Sequence, residues 1–82
     1  MPEREIHCAF TQRRYGVTGD DIHQWMDAPA RNLGVIHRLL RHEYNEWVPQ
    51  KFVHKYGIHL AKAIMRSHIW LDNNWNWVSH RF

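Results

Sequence analysis

A single cysteine, Cys8, stands among 82 residues, so no internal disulfide can brace the chain. A lone thiol fits a reducing compartment. Long apolar runs are missing too, and nothing approaches the roughly 20 residues that a membrane-spanning helix needs. The opening "MPEREIH" places charges where a signal peptide needs an apolar run. These features lead us to expect a cytoplasmic protein. Sustained alternation of apolar and polar residues is absent, which argues against a sheet. Gly-rich phosphate loops, Cys-x-x-Cys pairs and a nucleophile elbow are absent as well, which removes the usual nucleotide-binding, zinc-ribbon and serine-hydrolase signatures. Repeats, low-complexity tracts and long linkers are also lacking, so residues 1–82 read as one domain.

Histidine and tryptophan are abundant. The chain has eight histidines, as many as aspartate and glutamate together, and five tryptophans. Its formal charge is +3 and its pI about 9.4. That mild basicity permits a phosphate-containing ligand or nucleic acid as partner without requiring one. A domain this short has a thin core, and such domains often draw on a metal or on a second copy of themselves.

Helical periodicity organises the sequence into an all-α bundle of four to five short helices with an aromatic C-terminal tail. "EREIHCAFTQRRY" forms a first helix with Ile6, Ala9, Phe10 and Arg13 along one face, and Gly16 and Gly19 act as stop signals after it. Thr18 or Asp20 can cap a second helix, "DDIHQWMD", with Ile22, Trp25 and Met26 as its apolar stripe. A third, over 28–44, starts near Pro29 and turns Leu33, Ile36, Leu39 and Leu40 inward. "PQKFVHKY" is a short fourth, interrupted by Gly57, and "IHLAKAIMRSHIWLD" is the fifth. The tail "NNWNWVSHRF" shows no helical pattern and is expected to fold Trp75, Trp77 and Phe82 back over the bundle.

At about 100° per residue, His68 and Asp72 fall inside the apolar arc of Ile58, Ala61, Ile64, Met65, Ile69 and Leu71. His23 and Asp27 repeat the four-residue spacing beside Ile22 and Met26. His7 lies next to Ile6 and Phe10, His37 borders Leu33 and Leu40, and His42 with Glu43 closes the third helix. Four helices thus bring histidine to or near an inward face. Buried imidazole and carboxylate need hydrogen-bond partners or a metal. Paired ligands one turn apart on facing helices are how bundles build metal sites. The candidate ligands are therefore His7, His23, Asp27, His37, His42, His68 and Asp72, a set suited to zinc, iron, manganese or nickel. The plainer alternative is a metal-free, hydrogen-bonded His/Asp core in a basic module that binds nucleic acid or protein. In that module the basic residues and the tryptophans carry binding. Read most simply, the arginines and lysines are solvated faces, the tryptophans form core and lid, Cys8 is a small buried hydrophobe, and His54, His59 and His80 are surface residues.

His7, Tyr15-Gly16, Ile22-His23-Gln24-Trp25-Met26-Asp27, His37-Arg38-Leu39-Leu40-Arg41-His42 and His68-Ile69-Trp70-Leu71-Asp72 together resemble a family of short His-rich bacterial and phage proteins. Its members look like H-x8-G, IH-x-W-x-D, HR-x-x-RH and H-x3-D in order. The resemblance spans about residues 7–72 and implies which positions to watch, with no activity attached. A looser likeness is to the all-α HD-domain phosphohydrolases, which hold metal with a histidine, a His-Asp doublet and a distant aspartate. Here the doublet position reads His42-Glu43 and the chain is shorter. Independently of that likeness, a catalytic version of the metal site would activate water for attack on a phosphoester, with a neighbouring basic residue such as Arg38 or Arg41 stabilising the phosphate.

Overall fold

The computed structural model describes residues 3–27 and 47–80. All regular structure among them is helical: α1 (Arg4–Tyr15), α2 (Asp20–Asp27), α3 (Gln50–Tyr56) and α4 (Ile58–Ser79). The helix expected over 28–44, with His37 and His42, lies outside the described residues, as does Phe82.

Helix α1 stops at Gly16, whose φ of 80° is left-handed and whose N–H donates to the Gln12 carbonyl at 2.9 Å. Gly19 does not end a helix but begins one: its carbonyl accepts from His23 N–H at 3.0 Å, the first bond of α2. Glycine is required there twice over. Its φ is +65°, and a Cβ would lie 2.8 Å from Ile64 Cγ2. The start of α2 therefore rests directly on α4. Asp20 and Asp21 occupy the first turn of α2, where carboxylates suit the helix dipole. Asp20 meets Arg4 Nε at 3.1 Å, and Asp21 accepts from Lys55 Nζ at 2.9 Å and from Tyr56 Oη at 2.6 Å. These contacts tie α2 to α1 and α3.

Helix α4 is the backbone of the fold. Its 22 residues span about 33 Å. Ala61, Ile64, Met65 and Ile69 pack with Ile22 and Met26 of α2 and with Val48 and Phe52 into the main hydrophobic cluster. The expected irregular tail is instead the last two turns of this helix. Asparagine is a poor helix former, but Leu71, Trp75 and Val78 continue the apolar stripe, and Leu71 and Val78 are buried. Asn74 Nδ2 also donates back to the Trp70 carbonyl at 2.8 Å. Packing outweighs propensity here. Trp77 does not fold back: it is exposed, as are Trp47 and, in part, Trp70 and Ile58. His54, His59 and His80 are exposed, as the sequence leads one to expect. No helix among the described residues is long and apolar enough to cross a membrane.

Candidate metal centre

The inward face of α1 is polar. Ile6 and Phe10 are only half-buried and Ala9 is exposed, while His7 and Thr11 are buried. His7, Thr11 and Tyr15 recur every four residues and so share one face of the helix. Tyr15 reaches Ser67 of α4 at 2.9 Å, and His7 and Thr11 reach the cluster described next. Placing the apolar stripe of α1 inward is thus corrected: His7 and Thr11 turn toward α2 and α4, and Ile6, Ala9 and Phe10 line a side cleft with Leu71 and Trp75.

His7, His23 and His68 meet from three different helices. Their rings stack, with centroids 3.8 Å apart for His7–His68, 5.0 Å for His23–His68 and 5.3 Å for His7–His23. His23 and His68 are fully buried and His7 is 2% exposed. Asp72, its side chain 4% exposed, lies between two of them: Oδ1 is 3.0 Å from His7 Nε2 and Oδ2 is 3.4 Å from His68 Nε2. Asp27, at the rim with its side chain 38% exposed, places Oδ1 3.2 Å from the same His68 nitrogen. His23 Nδ1 faces His68 Nδ1 at 2.8 Å, and His23 Nε2 meets Thr11 Oγ1 at 2.7 Å. Thr11 donates to the His7 carbonyl at 2.6 Å. Five of the seven sequence candidates therefore converge, and the other two, His37 and His42, lie outside the described residues. Thr11 is the member that sequence reasoning missed, although its position four residues after His7 puts it on the same face.

Hydrogen accounting shows what this cluster lacks. Five contacts run through it: Thr11 to the His7 carbonyl, Thr11 to His23, His23 to His68, His68 to the two aspartates, and His7 to Asp72. Each requires one hydrogen. With neutral rings and ionised carboxylates, Thr11 and the three histidines supply one each, which leaves the set one short. The balance could be met by an imidazolium at His68, between Asp27 and Asp72. Burial opposes this and pushes His68 below the usual histidine range, although Asp27 and Asp72 pull the other way. His23 is driven further, to about 3, first by burial and then by repulsion from His68 and His7. The neutral cluster thus holds two ring nitrogens facing each other with one hydrogen too few, beside two carboxylates. A divalent cation would balance both the missing positive charge and the facing lone pairs.

The donors also fit a cation sterically. Each of the three histidines offers a ring nitrogen, all within 4.8 Å of one another. Two nitrogens on one tetrahedral zinc, at about 2.0–2.1 Å from it, stand about 3.3 Å apart. His23 Nδ1 and His68 Nδ1, 2.8 Å apart, stand closer than this, so the stacked rings would have to turn to admit an ion. Cys8 takes no part. It is half-buried rather than buried, donates to Asp20 Oδ1 at 3.4 Å, and is pushed up to about 11 by burial and by Asp20, which keeps it a thiol.

No protein-family model matches the chain, and no curated protein or solved structure matches it either.

Proposed function

We propose that this chain is a small metal-binding helical domain whose centre is His7, His23 and His68, with Asp72 as the carboxylate beside them. The observation that carries this reading is the convergence of three buried imidazoles from three helices within 4.8 Å. Imidazole with carboxylate suits zinc, iron, manganese or nickel. Bound there, such an ion would tie α1, α2 and α4 together. Its binding free energy would then act as folding free energy, because the site has no counterpart in the unfolded chain. Burial of the rings favours this structural role. Asp27 and Thr11 act as orienting partners, fixing which nitrogen of His68 and of His23 faces inward. His37 and His42 remain sequence-based candidates for further ligands.

A second reading keeps the same residues as a metal-free hydrogen-bonded core, and the 2.7–3.2 Å spacings of the ring contacts favour it. Hydrolysis of a phosphoester is the finer extension of the metal reading. The solvent-facing Asp27 carboxylate would be the edge at which water reaches the centre. Elemental analysis of tag-free protein, with thermal melts in EDTA and in added zinc, iron, manganese or nickel, separates these readings. Bound metal near one ion per chain and a lower Tm in EDTA support the metal centre. Metal-free protein with a melt indifferent to chelator and to every added ion leaves the hydrogen-bonded core.

A further inference from the structure

The face of α1 turned away from the histidine cluster carries a self-complementary pattern. Glu5, Ala9 and Arg13 recur every four residues and so form one row along the helix. Ala9 stands two residues before the buried Thr11, about 200° around the helix from it, which turns the row outward. All three residues of the row are exposed. Beside it, Ile6 and Phe10 are half-buried and, with Leu71 and Trp75 of α4, line a cleft of about 420 Å³. Phe10 carries this apolar surface on to Trp70. The two rings stack with centroids 5.9 Å apart at 21°, and Trp70 stays 40% exposed.

An apolar face rimmed by charged residues marks an interaction site. Here the charges select the partner. Glu5 and Arg13 are eight residues apart, so about 12 Å of helix separates them and they cannot pair within one chain. Ala9 lies midway between them. A twofold axis at Ala9 lays a second, antiparallel α1 against the first and sets each Glu5 opposite the other copy's Arg13. Where the residue at the crossing is as small as alanine, helix axes approach to about 8 Å, a gap that glutamate and arginine side chains together span. A parallel pairing would set Glu5 on Glu5 and Arg13 on Arg13, and the copies would repel. The antiparallel operation also leaves Ile6 and Phe10 of both copies on the same side of the pair, so their apolar surfaces meet.

We propose that this face of α1 is the interface of a homodimer, in which Glu5 and Arg13 exchange two ion pairs across a twofold axis at Ala9. Pairing withdraws apolar surface that a single copy leaves in water, which suits a thin core with no disulfide to brace it. The row shares no residue with the histidine cluster, so the dimer forms with or without a metal.

The test is sedimentation equilibrium of the full chain from about 1 μM to 1 mM, which brackets the affinities of weak dimers. Dimer should accumulate with concentration, in EDTA as in added zinc. Glu5→Arg sets arginine against arginine twice, and Arg13→Glu sets glutamate against glutamate twice. Each should weaken self-association by about ten-fold or more. The two variants are complementary to each other, so mixing them should restore dimer as a heterodimer. The double variant Glu5→Arg/Arg13→Glu should dimerise as the parent does. Ala9→Glu, which places two like charges face to face on the axis, should abolish association, and melts of each variant confirm that it is folded. The proposal is overturned if the parent chain is monomeric at the top of that range, or if its association survives both single reversals undiminished. It is equally overturned if mixing the two single variants restores no dimer. A dimer that EDTA dissociates would be bridged by metal and would overturn it too.

Discussion

His23 Nδ1 and His68 Nδ1 face each other at 2.8 Å in the interior of the bundle. Two neutral imidazoles can share one hydrogen across such a gap, but His68 is also directed at Asp27 and Asp72 through its other nitrogen, and His23 at Thr11. With neutral rings and ionised carboxylates the demands exceed the supply by one hydrogen, which either a further proton or a cation at this point would supply. The first three expectations below follow from that contact.

Removing the His68 ring should separate stability from metal. In the presence of a saturating divalent ion, at about a hundred times its Kd, a native-state ligand stabilises by about 2.7 kcal/mol. His68→Ala should abolish that gain. It should also cost a few kcal/mol without metal, since deleting a buried side chain leaves a cavity and unmatched partners. Parallel melts of the two proteins with and without zinc measure both terms. A gain from zinc that is the same in His68→Ala would place the ion elsewhere.

Thr11→Val tests the orienting role of the hydroxyl. The two side chains have nearly the same shape, so the packing of α1 should survive. What is lost is the partner of His23 Nε2. Groups that orient a ligating histidine typically contribute about 10- to 100-fold in metal affinity, and that weakening should appear in a competition titration against a chromogenic chelator. A metal-free core predicts instead a loss of about 1–3 kcal/mol in the melt and no change in metal uptake.

Acid should unfold the domain in a defined window. The folded-state pKa values of His23 and His68 are depressed below the unfolded value, His23 to about 3. Between the unfolded histidine value, near 6.5, and about 3, the unfolded chain binds more protons. Stability is therefore full above about pH 6.5 and falls with acidification, by about 1.4 kcal/mol per pH unit for His23 alone, and more steeply once His68 contributes. Urea midpoints taken from pH 7 to pH 4 measure the slope. A flat profile across this range would mean that these rings are not held neutral in the fold.

The seat of α2 on α4 can be tested at Gly19. Gly16→Ala pays only for a left-handed backbone, about 1–2 kcal/mol, because nothing lies within 4 Å of the new Cβ. Gly19→Ala adds a 2.8 Å clash with Ile64 and should cost more, and it should shift His23 relative to His68. Comparing the two variants by chemical denaturation isolates the clash. Equal costs would show that Ile64 moves aside freely.

The helices themselves were legible from the chain, because the 3.6-residue period of Ile22 and Met26, and of Ala61, Ile64 and Met65, is local information. The same period placed His68 and Asp72 on the inward face of α4 and His23 on that of α2, where burial holds them. It failed where local signals competed. Asn73, Asn74 and Asn76 argued against a helix that Leu71, Trp75 and Val78 nonetheless extend by packing. In α1, Ile6 and Phe10 looked like the core stripe, whereas His7 and Thr11 turn inward because their partners, Asp72 and His23, come from distant parts of the chain. No spacing within α1 encodes those partners. Only tertiary packing decided that three imidazoles stack, that Thr11 closes their hydrogen-bond chain, and that Phe10 and Trp70 stack between α1 and α4. Each depends on the relative placement of helices that many long-range contacts fix together, while a sequence pattern reports the face of one helix at a time.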